Sequence, residues 1–590
     1  MFLKRQRRRA GGEDYDYWSL VRTVRSARGP RHEVVARLGK LDGVEQKAAR
    51  GWHDLDALLE GRSVARQLEF GENAPTPLWR QVNLKQVRVE RVRQFGRVYL
   101  GLALWRRLKL HRYLADLMPP GREEIAWDLI ACILALGRFC AEPSELGVAE
   151  RWYEHTALED LLGISADKIN ETRLYRGLDQ LLEQKDALCS HLQEQYQSWF
   201  GLGFEFLLYD VSSTYFEGLA EHNTLAARGY SRDHRPDCKQ VCIGLVVTPE
   251  GLPVGYEVFA GNRNDVSTLE EMVELMEDKY GQAKRVWVMD RGIASEENLQ
   301  WLRQRGGHYL VGAPKKQLKK HEAALLDESH WNAIREGLEV KMVETPEATE
   351  RFILCRSADR AAKERAMLKC QVDRLREHLE KIDASLRRKP TTKIGPVERR
   401  IGRWMGRYPA AAAVFTVELE YDNQQQACAL SVQEHADRYQ WACRAHGAYM
   451  LRTNYVEGNE SDLWKWYIQL TQAEAAFRTS KTDLNLRPVF HQIAGRVQAH
   501  VLVCFLSLAM WRVLEMWISG KGLGSCARQL LLELDELRSM DVVLPTREAG
   551  DVRLRVVGKP DKPLAQLLVR LGIELPNVPK VIENVVPKMA

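Results

Sequence analysis

Three acidic residues stand where a metal-dependent site for cutting nucleic acid would need them. Asp210 ends the apolar run Phe204-Glu205-Phe206-Leu207-Leu208-Tyr209-Asp210. Asp290 ends a second run, Val286-Trp287-Val288-Met289-Asp290. Glu474 lies in the helical stretch Trp464-Lys465-Trp466-Tyr467-Ile468-Gln469-Leu470-Thr471-Gln472-Ala473-Glu474. An acid at the tip of a buried strand is costly unless its charge is compensated. A divalent metal supplies that compensation, and a pair of metals can drive phosphoryl transfer.

The residues around each acid fit that chemistry. Asp210 is followed by Val211-Ser212-Ser213-Thr214, a hydroxyl-rich turn, and hard cations take oxygen ligands. Asp290 is followed by Arg291-Gly292, an arginine in reach of a phosphate and a glycine that permits a tight turn. Tyr467, Glu474 and Lys481 are spaced seven apart, so on one helix they share a face, drifting only about 20° per step. Arg478, Lys481, Arg487, His491 and Arg496 form a basic strip with aromatics interleaved, suited to the DNA backbone. His222, His234, Cys238 and Cys242 offer a competing zinc set, but their gaps fit no common finger.

The elements that must hold these residues follow from periodicity. Alternation over 15–25 and 32–39, broken at Ala27-Arg28-Gly29-Pro30, predicts two strands and a turn. The basic residues at 4–9 are read either as phosphate contacts or as a solvated tail. Leucines at helical gaps predict helices between 90 and 200, including 125–140 and 172–200. Then come a strand over 204–210, a hairpin over 240–259, a helix over 267–280 and a strand over 285–290. A helix over 295–305 and a strand over 308–311 complete the order of a ribonuclease-H-like α/β core. In that order the ends of the two aspartate strands are sheet neighbours, where open α/β sheets bind ligands.

From 316 to 445 the texture changes. Strands are expected over 338–343, 351–355 and 413–421. Leu368, Val372, Leu375, Leu379, Ile382 and Leu386 mark a heptad seam, read as an intramolecular hairpin arm rather than a dimer contact. The core resumes at 448–454, with long helices over 460–478 and 493–518. The division is thus 1–60, a β-hairpin region; 61–200, helical; 201–315 and 446–520, the split core; 316–445, a β-rich insertion with a helical spur; and 521–590, a tail.

Bulk properties agree. The 590 residues carry 45% apolar and 28% charged side chains and a net charge of +6, which exclude a disordered chain and permit a nucleic-acid partner. Eleven scattered cysteines argue for reduced thiols and a cytoplasmic setting. No apolar core follows the basic start, so it is not a secretory signal. The apolar run over 501–511 is too short for a membrane span and reads as a buried helix.

The order Tyr-Asp-Val-Ser-Ser-Thr-Tyr-Phe-Glu-Gly (209–218), Gly-Asn-Arg-Asn-Asp (261–265), Met-Asp-Arg-Gly-Ile (289–293), Ala-Glu-Ala-Ala-Phe-Arg (473–478) and Leu-Arg-Pro-Val-Phe-His (486–491) resembles bacterial insertion-sequence transposases of the DDE type. Within them it is similar to the insertion-sequence-four superfamily, whose signature is Tyr-x2-Arg-x3-Glu-x6-Lys. Tyr467, Glu474 and Lys481 match; Leu470 stands in the arginine's place, and Arg478 is the candidate substitute. The resemblance implies cut-and-paste transposition by a prokaryotic, nucleoid-associated enzyme. Asp210, Asp290 and Glu474 would hold two Mg²⁺ ions, with Mn²⁺ able to substitute. It implies double-stranded DNA as partner, at the element's ends and at the target. It further implies a homodimer in the synaptic complex, end binding by the helical region, and no membrane. Relatives that resolve a hairpin hold a flipped base on aromatics, for which Trp287, Trp464 and Trp466 are available. Two alternatives stay open: a nuclease or resolvase that only hydrolyses, and a DNA-binding relative whose catalysis has decayed.

Overall fold

The computed structural model describes residues 2–10, 13–26, 29–39 and 82–585, apart from 142, 281–284, 345–349, 392, 425, 548–549 and 577–578. It comprises two compact units. In the first, β1 (Phe2–Ala10), β2 (Glu13–Ser26) and β3 (Gly29–Gly39) form an antiparallel sheet in the order β1-β2-β3. The basic run is therefore strand rather than a tail, paired from Phe2↔Val21 to Ala10↔Glu13. An edge strand accepts Lys and Arg readily, because their charge discourages further pairing. The turn residues Ala27 and Arg28, and the start of the expected helical region before residue 82, lie outside the described residues.

The second unit begins with β4 (Arg88–Gln94) and a helical layer: Gly96–Arg107, Leu110–Leu117, Trp127–Cys140, Glu171–Leu182 and Lys185–Phe200. The single helix expected over 172–200 is two, separated at Glu183 and Gln184. Trp127–Cys140 and Glu171–Leu182 pack on the long helix Ala494–Gly520. That helix is long and apolar enough to cross a membrane, yet 78% of its most apolar window is buried inside the protein. A helix apolar all round is a core helix when protein surrounds it.

Nine strands form the central sheet: β5 (Phe206–Tyr215), β6 (Gln240–Val247), β7 (Pro253–Ala260), β8 (Val286–Met289), β9 (His308–Gly312), β10 (Asn332–Arg335), β11 (Leu338–Glu344), β12 (Arg351–Ser357) and, after a two-stranded β13 (Phe415–Tyr421) and β14 (Ala427–Glu434), β15 (Ala448–Thr453). Their spatial order is β10-β11-β12-β15-β9-β8-β5-β6-β7. β5, β8 and β9 are mutually parallel, and the other pairings are antiparallel. Period-two alternation sends Leu207, Tyr209 and Val211 into one cluster with Trp287 and Met289, shared with the helices Leu269–Tyr280 and Glu296–Gln304. Leu208 and Val288 join the opposite cluster, with the helices Leu470–Thr482 and Ala494–Gly520.

The expected insertion does not stand wholly apart. β10–β12 extend the central sheet beyond β15, because β12 carries the apolar run Phe352-Ile353-Leu354-Cys355, which pairing with β15 buries. Only β13 and β14 form a separate ribbon. They pack with a helical hairpin of Ala358–Arg388 and Ile394–Arg407. The six seam residues are all buried there, so the arm folds on itself. Trp404 stacks on His378 with ring centroids 3.4 Å apart. The outer side of Ile394–Arg407 includes Gly402 and Gly406, each costing up to about 1 kcal/mol of helix propensity against alanine. After Ala527–Leu534, the strand Arg538–Thr546 pairs through Val543 with β4.

Candidate active site

Asp210 is not at the end of its strand. β5 runs five residues further, and it is the partner that stops: the parallel pairing of β5 with β8 ends at Tyr209↔Met289. Asp210 and Asp290 are the next residues on the two strands, so they stand on adjacent chains spaced about 4.8 Å apart. Past this point β5 continues along β6, from Asp210↔Leu245 to Tyr215↔Gln240. The hydroxyl run expected as a turn is buried strand, with its groups engaged: Thr214 donates to the Leu486 carbonyl at 3.1 Å, and Ser213 accepts the Arg232 amide at 3.4 Å. The Ser213 and Thr214 hydroxyls thus serve the fold.

Asp210 shares the parity of Leu208 and so faces the helix Leu470–Thr482, which packs on β5 and bears Glu474. The charges of Glu474 and Asp290 both bear on Asp210. Burial pushes the Asp210 carboxyl up to about 6, and the negative charges of Glu474 and Asp290 add to it, against the Val211 amide and the Arg232 guanidinium, which favour ionisation. Asp210 Oδ1 accepts the Val211 amide at 2.8 Å, and Asp290 Oδ1 accepts the Arg291 amide at 2.7 Å. Each aspartate thus has its second oxygen free of those local bonds. Asp290 and Glu474 are exposed.

The helix expected over 460–478 breaks at Gln469 into Glu460–Ile468 and Leu470–Thr482. Tyr467 therefore precedes the break, while Glu474 and Lys481 follow it. Tyr467 still reaches the site. Burial pushes its phenol up to about 12, followed by the charge of Asp290, so it stays a protonated donor at neutral pH. A Cβ on Gly312 would lie 2.6 Å from the Tyr467 hydroxyl, which explains a glycine at the end of β9. Leu470, in the signature's arginine slot, is buried. A cation near Asp210 comes instead from Arg232, whose guanidinium is held by Asp265. Arg232 drew no notice in the sequence; its signal was Asp265, within the quoted Gly-Asn-Arg-Asn-Asp stretch.

The expected basic strip separates into three. Arg478 is exposed, one turn beyond Glu474. Lys481 and Arg487 converge on one buried carboxylate: Lys481 Nζ is 2.8 Å from Asp233 Oδ1, and Arg487 bonds to the same oxygen. His491 and Arg496 turn towards the helical layer. His491 is buried, 3.3 Å from Glu145, and Arg496 lies 3.5 Å from Asp179 and over the Tyr175 ring. A sequence strip takes no account of acids hundreds of residues away.

Glu145, His491 and His500 are a group of described residues whose ligand atoms all lie within 4.8 Å of one another. A cation is already there. Arg138 Nη2 is 3.3 Å from Glu145 Oε1 and 3.2 Å from His500 Nδ1. The zinc set from the sequence does not gather among the described residues. Cys242 is buried in β6, its thiol facing the carbonyls of Gly261 and Arg263, and Cys238 donates to Asp237. All eleven cysteines are free. Trp287, offered above for stacking a base, is buried in the sheet; Trp466 packs on Phe206 at 3.7 Å. Trp464 remains at the site. With Tyr467, Asp290, Arg291, Lys315, Arg335 and Arg360 it lines a cavity of about 450 Å³.

The family model for the transposase DDE domain matches residues 212–510, 299 of the 590 residues. The chain belongs to this family. The match includes Asp290 and Glu474 and begins two residues after Asp210. A second model, for the N-terminal domain of IS1634 family transposases, matches residues 3–71 of the transposase. It points to the IS1634 family rather than specifically to the insertion-sequence-four superfamily. No curated protein matches the chain. Membership implies DNA as the partner and a divalent metal in the chemistry.

Proposed function

We propose that this transposase performs cut-and-paste transposition, with Asp210, Asp290 and Glu474 holding two Mg²⁺ ions, for which Mn²⁺ can substitute, on a ribonuclease-H-like core. The support is the register of β5 and β8, which sets the two aspartates side by side, with Glu474 facing them from the next helix. The donor set fits a hard cation: oxygen ligands alone, each aspartate with an oxygen to spare, and negative charge that the protein itself leaves largely uncompensated. Bound there, the metals would activate a water or a DNA 3′-hydroxyl and stabilise the leaving oxygen. Tyr467 donates a hydrogen bond to a phosphate oxygen beside Asp290. Arg232, rather than Arg478, supplies the cation that the signature arginine would have provided. Lys481 and Arg487 contact phosphate once DNA displaces Asp233 from them. Residues 61–200 bind the element's ends, and two copies pair those ends in the cytoplasm of a prokaryotic cell. The spacing of Tyr467, Glu474 and Lys481 supports a lineage close to the insertion-sequence-four superfamily.

The test is Asp290→Asn on a supercoiled plasmid carrying the element's ends. Mg²⁺-dependent nicking should fall by on the order of a thousandfold, about 4 kcal/mol in the barrier, with end binding retained. Undiminished nicking would refute the assignment of the site. Nicking by the wild type with no joining of the 3′-end to a target would leave a nuclease instead.

A further inference from the structure

We propose that the return helix of the hairpin, Ile394–Arg407, docks the phosphate backbone of duplex DNA at a distance from the site of cutting. This rests on the reading of the chain as an enzyme that acts on DNA. Over 387–407 there are eight basic residues and a single acid, Glu398. Arg387 pairs with Asp383, but Arg399, Arg400 and Arg403 are exposed and make no ion pair among the described residues. Val397, Ile401, Trp404 and Met405 hold the inner side of this helix against the hairpin core. At 100° per residue, the opposite side is centred on Arg399 and Gly406, with Arg403 on one flank and Gly395 and Gly402 on the other.

The glycines are a second, independent sign. A Cβ at Gly402 or Gly406 would meet nothing within 4 Å, so no contact inside the chain calls for glycine there. Both weaken the helix. What they provide is a surface without side chains, on which another backbone can lie close to the helix axis while the arginines reach around it. A second copy of the chain is the other occupant such a face suits, through close helix packing. The charge disfavours it, since two copies would oppose their arginines, whereas a polyphosphate neutralises them.

Position gives the face its use. Trp404 stacks on His378, which is 20 residues along Ala358–Arg388 from the root of the hairpin at the sheet. At about 1.5 Å per residue that is roughly 30 Å. The face therefore lies about one DNA helical turn out from the root of the hairpin.

The test uses the full-length chain and a random-sequence duplex several helical turns long, titrated across a salt series. Combined Arg399→Gln, Arg400→Gln and Arg403→Gln should weaken binding and flatten the slope of log K against log salt by roughly 2.7, about 0.9 for each lost phosphate contact. Gly402→Leu with Gly406→Leu should weaken binding several-fold while leaving the melting temperature equal or higher, because leucine is the better helix former. A merely structural role for the helix predicts the reverse for that pair. Wild-type affinity and slope in both variants would overturn the proposal. So would intact DNA binding accompanied by a change from dimer to monomer in sedimentation, which would make the face a contact between copies. Absence of binding by the wild-type chain would instead remove the DNA-acting reading on which it stands.

Discussion

Two clusters of ionisable side chains in this transposase differ in how their charge is balanced. Around Asp210, at the open end of a parallel strand pair, the charges of Glu474 and Asp290 act on one carboxyl, and the guanidinium near it, Arg232, is committed to Asp265. Around Glu145, one carboxylate, two imidazoles and Arg138 are packed between the helical layer and the long core helix. Both contain plausible metal ligands. The second carries its own cation and is closed to solvent, so it needs nothing from outside. The first has surplus negative charge and reaches solvent. Compactness is a poor guide to function; leftover charge at an accessible strand end is the better one.

That contrast can be broken by experiment. Arg138→Met leaves Glu145 buried without its arginine, and should cost about 3–5 kcal/mol of stability. The measurement is the denaturation midpoint, with Mg²⁺-dependent nicking per folded molecule unchanged. A neutral effect on stability would deny the self-compensated cluster. Conversely, Mn²⁺ at about 100 times its dissociation constant should stabilise the wild type by about 2.7 kcal/mol. Asp210→Asn should abolish that gain and Arg138→Met should retain it. If the gain instead follows Arg138 or Glu145, the metal belongs to the buried cluster.

Acid separates the clusters further. Burial, then the charge of Arg138, pushes His500 down to about 3. The unfolded chain takes that proton near 6.5, the folded chain refuses it, and so stability is full above about pH 6.5 and declines as pH falls towards 3. Glu145 acts in the same direction at lower pH. Burial alone would raise its carboxyl, but the His491 hydrogen bond and the Arg138 charge hold it well below the usual carboxylate range. The melting temperature should therefore drop between pH 7 and 5, and His500→Gln should flatten that drop. The smallest effect is expected from Asp233→Asn. Freeing Lys481 and Arg487 from a charged partner should tighten DNA binding about fivefold, near 1 kcal/mol. Weaker binding would mean that Asp233 positions those cations rather than competing with phosphate for them.

The legible parts of this protein were those set by local pattern. Apolar runs ending in Asp210 and Asp290 announced buried strands, the seam from Leu368 to Leu386 announced a packed arm, and the 501–511 run announced a core helix, since each depends on periodicity within one element. The errors share a cause. Val211-Ser212-Ser213-Thr214 has turn composition but is strand, because β6 pairs with it and the Ser213 and Thr214 hydroxyls find partners there. Basic residues at 4–9 form an edge strand because a partner strand is present. His491 left the basic strip for Glu145, 346 residues earlier (491 − 145), and Lys481 found Asp233, 248 residues earlier.

The sequence by itself determined which side chains alternate, which helices are amphipathic, and which acids stand at the ends of apolar runs, since these depend on neighbours a few residues apart. Only the tertiary structure decided that β8 stops where β5 continues, which cations are spent on internal acids and which face outward, and that Arg232 rather than a cation of the glutamate helix stands near Asp210. Those outcomes, the cation near Asp210 being Arg232 although the glutamate helix also faces it, depend on pairings between distant segments. There the balance of burial and charge is struck in space, without regard to order along the chain.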